Sequence, residues 1–235
     1  IMTRKQRRLV FIAAALAALV TLGAGPALAD HPRMMLGPGD AHVNGIKDKA
    51  LVRWSKWGYV FIAGQQNSHL TVTYDETANT LRYEDTGTKT LMSVPDGCAE
   101  EDVDKGIAVV CAIPAEFDTK KMFVQVWVRL GDDFVDGSTL PARFRLWVLA
   151  DAGKDVVYGG AGRDFTNGAK DADRVYGGAA DDLLRTGLGN DQLWGGPGKD
   201  RLSCAEDADT AYRDSYDTFY QCETLLDDDT ATKWW

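Results

Sequence analysis

Histidine is scarce in this 235-residue chain: His31, His42 and His69 are the only three, and they are scattered. No H-E-x-x-H is present, so a zinc protease would lack its ligands. No G-x-S-x-G is present either, which removes the usual esterase nucleophile turn. The four cysteines contain no C-x-x-C pair, so a zinc ribbon is excluded by spacing. Positive charge is also short, with 26 Lys and Arg against 35 Asp and Glu and a net charge of −9. That balance argues against nucleic acid or an anionic membrane as partner. Long apolar runs are missing apart from Leu9 to Leu22, which is short for a stable membrane span.

The apolar run follows Arg4-Lys5-Gln6-Arg7-Arg8 and leads into Ala27-Leu28-Ala29. A basic start, a short apolar core and a small-x-small end describe a secretory signal peptide over residues 2–29, cleaved before Asp30, with no membrane span left afterwards. Loss of its four basic residues leaves 22 bases against 35 acids, a charge of −13. Export also permits disulfides, and Cys98, Cys111, Cys204 and Cys222 allow three pairings. The simplest joins Cys98 to Cys111 and Cys204 to Cys222, because each pair then lies inside one structural unit.

What the chain has in excess is aspartate, 28 residues of it, and the C-terminal third places it periodically. From Ala150 to Tyr212 the sequence divides into ADAGKDVVY, GGAGRDFTN, GAKDADRVY, GGAADDLLR, TGLGNDQLW, GGPGKDRLS and CAEDADTAY. The sixth residues are Asp155, Asp164, Asp173, Asp182, Asp191, Asp200 and Asp209. Gly fills the first, second or fourth place of most blocks, which asks for a turn with positive φ or close backbone approach. The eighth places, Val157, Thr166, Val175, Leu184, Leu193, Leu202 and Ala211, are mostly aliphatic and suit a strand of about three residues with one side chain pointing in. No block can bury that residue alone, so stacking must supply its neighbour.

Two blocks per coil give a flattened parallel solenoid in which residues eighteen apart lie above one another. One edge then carries Asp155, Asp173, Asp191 and Asp209, and the other Asp164, Asp182 and Asp200. Carboxylates stacked at one sheet spacing, roughly 4.8 Å, repel unless something cationic lies between them. Solvated turns also favour Asp and Gly, but they do not require a like charge at every coil. A hard cation with six or more oxygen ligands answers the need, and calcium tolerates this flexible geometry better than magnesium.

These blocks resemble the G-G-x-G-x-D-x-U-x nonapeptide repeats of the repeats-in-toxin (hemolysin-type) calcium-binding family. The resemblance implies an all-β fold, a parallel β-roll with calcium ions between turns. It implies as ligands the seven sixth-place Asp together with turn carbonyls, here those of Gly159, Ala161, Gly177, Ala179, Gly195 and Pro197. Neighbours on one edge would make at most five sites: 155 with 173, 164 with 182, 173 with 191, 182 with 200 and 191 with 209. Asp171, Ala180 and Asp207 replace the fourth-place glycine, and the last block opens Cys204-Ala205. The Asp164 edge, whose blocks keep most glycines, is therefore favoured. The family's toxins leave the cell through an exporter that reads a C-terminal signal, and this chain departs from them in carrying an N-terminal one.

Residues 30–127 read as a β-rich leader, with runs at 59–63, 69–74, 80–83, 106–113 and from Met122 onward. Residues 128–149 hold a degenerate first repeat, Leu130-Gly131-Asp132-Asp133-Phe134-Val135, and an insertion containing the run 144–149. The roll itself spans 150–212 and a C-terminal cap 213–235. The leader strands are expected to cap or continue the solenoid. Gly195-Gly-Pro-Gly-Lys199 looks like a phosphate loop but keeps the repeat register, so it reads as a turn. The acid pairs Asp132-Asp133 and Glu100-Glu101 read as surface or ligands, and no catalytic residue is assigned. Trp54, Trp57 and Tyr59 make an alternative platform for an extracellular polysaccharide or cell-surface component, although packing of a small β-core explains them more simply. The terminal Trp234-Trp235 reads as tail or cap. The expected protein is secreted, non-enzymatic and calcium-binding.

Overall fold

A computed structural model describes residues 47–227. The signal segment, His31, His42 and the terminal tryptophans lie outside the described residues. Two sheets face each other across a single apolar core. Strand β1 (Lys49–Ser55) pairs antiparallel with β2 (Gly58–Ile62), and β3 (His69–Asp75) with β4 (Thr80–Asp85). The short β5 (Thr90–Leu91) lies beside β1, while β6 (Cys98–Glu101) and β7 (Ile107–Ala112) extend the β3–β4 meander. One turn of 3-10 helix, Ala115–Phe117, leads to the parallel region.

From β8 (Met122–Trp127) onward the chain alternates between sheets. It runs through β9 (Phe134–Asp136), β10 (Phe144–Leu149), β11 (Val156–Tyr158), β12 (Phe165–Lys170) and β13 (Arg174–Tyr176). It continues through β14 (Leu183–Leu188), β15 (Gln192–Trp194), β16 (Arg201–Glu206), β17 (Thr210–Arg213), β18 (Thr218–Tyr220) and β19 (Thr224–Asp227). Each strand pairs in parallel with the next but one, and in the repeats the offset is eighteen residues, as in Val157↔Val175 and Leu184↔Leu202. The leader joins the same sheets, because β2 pairs in parallel with β8 and β3 with β9. Among the described residues, no helix is long and apolar enough to cross a membrane.

Alternation fixes which side chains face in. The eighth-place column from Val157 to Ala211 is at most 2% exposed, and the sixth and first places point the same way. The ninth places point out, where Tyr158, Tyr176, Trp194 and Tyr212 stack at 4.5, 4.3 and 4.3 Å with planes 3–11° apart. Stacked pairs of this kind contribute about 0.5–1.5 kcal/mol each beyond burial.

One expectation changes. The strands of the β12, β14 and β16 column are six residues long, not three. Their blocks continue into GAK, TGL and CAE, with too few glycines to turn, and the extra residues pair instead, as Ala169↔Gly187↔Ala205. Both cysteine pairs form disulfides, Cys98–Cys111 across directly opposed places of β6 and β7, and Cys204–Cys222 between β16 and the last coil. The second tethers the segment that follows the repeats.

Candidate cation sites at the turns

Every repeat aspartate sits where its strand begins and points into the roll. Relative exposure is 0–4% for all seven, which is unusual enough for carboxylates to need a physical account. Part of it is hydrogen bonding between coils. The amide of Asp155 donates to Oδ1 of Asp173 (2.9 Å), that of Asp173 to Asp191 (2.8 Å) and that of Asp191 to Asp209 (2.9 Å). On the other edge Asp164 donates to Asp182 and Asp182 to Asp200, both at 2.7 Å. One oxygen of each carboxylate therefore clamps the backbone of the coil before it.

The second oxygen has no such role. Oδ2 of Asp155, Asp173, Asp182, Asp191, Asp200 and Asp209 is buried without a hydrogen-bond donor from the protein. A buried, unpaired carboxylate oxygen is strongly unfavourable unless a proton or a cation meets it. Burial accordingly pushes Asp173 up to about 9, Asp155 and Asp200 to about 7 and Asp209 to about 6, with neighbouring carboxylates adding to the rise. Asp164 and Asp182 rise for the same first reason. Asp191 rises too, offset in part by the Asp173 amide.

Glycine at the first place of the block opens the space that Oδ2 of Asp173, Asp182 and Asp200 faces. A side chain on Gly177 would meet both Oδ2 of Asp182 (2.7 Å) and the carbonyl oxygen of Gly195 in the next coil (2.6 Å). One on Gly159 would overlap the Gly177 carbonyl and approach Oδ2 of Asp164 at 3.0 Å. Carboxylate and carbonyl oxygens thus converge on the place where a methyl group would sit. The donor set is all oxygen, and it suits calcium better than zinc. Among the described residues no group of three or more His, Cys, Asp or Glu could hold a metal ion, so a cation would rely on two carboxylates and turn carbonyls.

The sequence-derived ligands do not all sit alike. Gly159, Gly177 and Gly195 are buried at the inner side of their turns, whereas Ala161 and Pro197 are exposed and Ala179 half-buried. The Pro197 carbonyl already accepts the Ala180 amide at 2.9 Å. Asp164 also differs from its neighbours, since its Oδ2 accepts the Gly160 amide at 2.7 Å. Gly178 and Gly196, at the equivalent place, adopt left-handed φ of +102° and +86°, a conformation that Gly160 does not share.

Both ladders extend beyond the periodic blocks. The Asp133 amide donates to Asp155 (2.8 Å), the Asp200 amide to Asp217 (3.0 Å) and the Asp209 amide to Glu223 (2.9 Å). Asp133 belongs to the half-repeat noted before the array. Asp217 and Glu223 carry no periodic signal, because their offsets are seventeen and fourteen residues. Segment 195–200 is a turn in the register of the repeats, which accounts for its phosphate-loop appearance. Glu101 pairs with Arg82 at the surface, and His69 stacks on Phe134 at 4.3 Å.

Parallel coils edged by inward carboxylates and glycine-opened turns define a two-sheet parallel β-roll. The comparison with known families agrees: residues 147–175, 167–202 and 176–211 match the family model described as RTX calcium-binding nonapeptide repeat (4 copies), so the chain carries these repeats. No curated protein and no solved structure matches the chain.

Proposed function

We propose that the chain is a secreted, non-enzymatic calcium-binding protein whose repeats fold when calcium enters their turns. The observation that carries this reading is the row of buried Asp oxygens lacking any donor, of which those of Asp173, Asp182 and Asp200 face spaces that glycine leaves open. Calcium, when bound, supplies the positive charge that the ladders lack. The chain supplies the rest: Oδ1 of each sixth-place Asp holds the preceding coil, Oδ2 is left for the ion at every one but Asp164, and Gly177 and Gly195 add carbonyl oxygens. The five pairs named from the sequence are the proposed sites, with 182 and 200 the best provided and 164 with 182 weakened by the Gly160 bond.

Secretion rests on residues 2–29 and suits calcium sites of extracellular modules, which bind in the range of roughly 0.1–1 mM. The divisions at 30–127, 128–149, 150–212 and 213–235 are retained as functional segments. The test is circular dichroism during a calcium titration of the full chain at neutral pH, with calorimetry beside it. A gain of β signal with heat of binding is expected; an unchanged spectrum and no bound calcium would sink the proposal.

A carbohydrate-binding reading has one observation in its favour, the 38% exposure of both Trp54 and Trp57. Against it, Trp54 packs edge-on to Tyr59 at 4.8 Å and Trp57 to Phe123 at 6.0 Å, which is the geometry of a core margin. Retention on insoluble polysaccharide that disappears in Trp54→Ala and Trp57→Ala would reverse that preference.

A further inference from the structure

We propose that Asp133 and Asp155 form an additional calcium site that joins the N-terminal strands to the repeats. It rests on the calcium reading above and extends it to a coil that the family match, which begins at residue 147, does not include. Asp133 and Asp155 lie 22 residues apart, so the eighteen-residue period passes over the pair.

The turn before β9 is nonetheless built like a repeat turn. Leu130 bridges to Ala152, and the Gly131 amide donates to the Ala152 carbonyl at 3.1 Å. The Lys154 amide donates to Oδ1 of Asp132 at 2.9 Å, and the Val156 amide to the Asp133 carbonyl at 2.9 Å. Gly131 and Gly153 share a left-handed φ of +125° and +132°, and a side chain on Gly153 would overlap the Gly131 carbonyl. Only glycine permits this stacking.

The carboxylates are also left in the same condition as those of the repeats. Asp133 is 2% exposed and Asp155 1%, and Oδ2 of each is buried with no donor from the protein. The charges that bear most on Asp133 belong to Asp155, Asp85 and Asp132, all acidic.

Asp85 supplies an internal contrast. It is equally buried and lies one strand away, yet its Oδ1 accepts the His69 and Gly87 amides and its Oδ2 accepts the Thr88 hydroxyl at 2.6 Å. Where the leader needs a carboxylate alone, the chain provides every donor. At Asp133 it provides only the Ser68 amide, 2.6 Å from Oδ1. Through that bond the same ion would also brace the start of β3, so calcium would order the leader as well as the repeats.

Counting bound calcium on the full chain, stripped and then titrated, tests this. Asp133→Asn is expected to bind one ion fewer than the unsubstituted protein, and Asp155→Asn two fewer. In the unsubstituted chain, hydrogen exchange at the Ser68 amide is expected to slow as calcium is added. An unchanged count in Asp133→Asn, or a Ser68 amide indifferent to calcium while the Asp173 amide becomes protected, overturns the proposal. Failure of the unsubstituted protein to bind calcium at all would instead remove the reading beneath it.

Discussion

Along the Asp164 edge the chain reverses over six residues, 159–164, 177–182 and 195–200. Along the Asp155 edge the strands β12, β14 and β16 run on, and only three residues are left to turn, 171–173, 189–191 and 207–209. The two edges also differ in how they meet the backbone's demands. On the Asp164 edge left-handed φ falls mainly on Gly178 and Gly196, with Ala180 the exception. On the Asp155 edge it falls on Asp151, Ala169, Asp171, Ala205 and Asp207 as well as on Gly153, Gly187 and Gly189. Non-glycine residues in that region carry strain, which Asp tolerates better than Ala. One edge thus depends on glycine to make room, while the other uses longer strand pairing to hold a strained, more acidic turn.

Stripping calcium should have the largest effect and should expose the shared weakness of both edges. A carboxyl whose folded pKa lies above its unfolded value binds protons more tightly when folded. The stability it contributes is therefore present below the ordinary carboxylate value and lost as pH rises through the folded one. That window runs from about 4 to about 7 for Asp155 and Asp200, and to about 9 for Asp173. In chelator, the β signal should be lost at pH 8 and largely recovered at pH 5. Equal spectra at the two pH values would show that buried carboxylates do not control the metal-free fold.

Filling one glycine space comes next. Gly177→Val places methyl groups against the Gly195 carbonyl and Oδ2 of Asp182, and overpacking of this kind typically destabilises by about 1–3 kcal/mol. Thermal melts in calcium should register the loss, and calorimetry should lose heat from the Asp164 edge. If Gly177→Val melts like the unsubstituted chain, the turn is roomier than the geometry allows.

Within the Asp164 edge, Asp182→Asn should weaken calcium binding about tenfold, the equivalent of 1.4 kcal/mol. Asp164→Asn should weaken it less, because Gly160 already meets one oxygen. Matching affinities for the two variants would remove the distinction drawn between them.

The smallest effect, and the only stabilising one, is expected from Asp171→Gly. Its φ of +73° is strained for Asp, and the change also removes a charge beside Asp173. Gains at such positions run to about 1 kcal/mol, less the extra freedom glycine brings to the unfolded chain. A lower melting temperature would mean that Asp171 contributes something its backbone conformation does not reveal.

Much of this was legible in the residues. The nine-residue period fixed the eighteen-residue pairing, the inward eighth place and the division of Asp between two edges, because side-chain alternation and coil stacking leave little freedom once Asp and Gly recur at set offsets. The strand runs at 59–63, 69–74 and 106–113 were also readable from β-branched and aromatic residues. The six-residue strands were not, since GAK, TGL and CAE become strand only when neighbouring coils pair with them. Asp133 was readable as the Asp of a half-repeat but its pairing with Asp155 was not, and Asp217 and Glu223 stayed hidden, because offsets of 22, 17 and 14 residues reach the same ladders only after loops of different length are folded.

The sequence by itself determined that a carboxylate would recur at every turn and that its charge would have to be neutralised, because like charges one sheet spacing apart repel whatever the details of the coil. Only the tertiary structure decided which oxygens are already satisfied. Gly160 and Thr88 meet Asp164 and Asp85, while Asp133, Asp155, Asp173, Asp182, Asp191, Asp200 and Asp209 each keep one buried oxygen without a donor. Hydrogen-bond satisfaction depends on where an amide or hydroxyl from another turn comes to rest, and that is a property of packing, not of spacing along the chain.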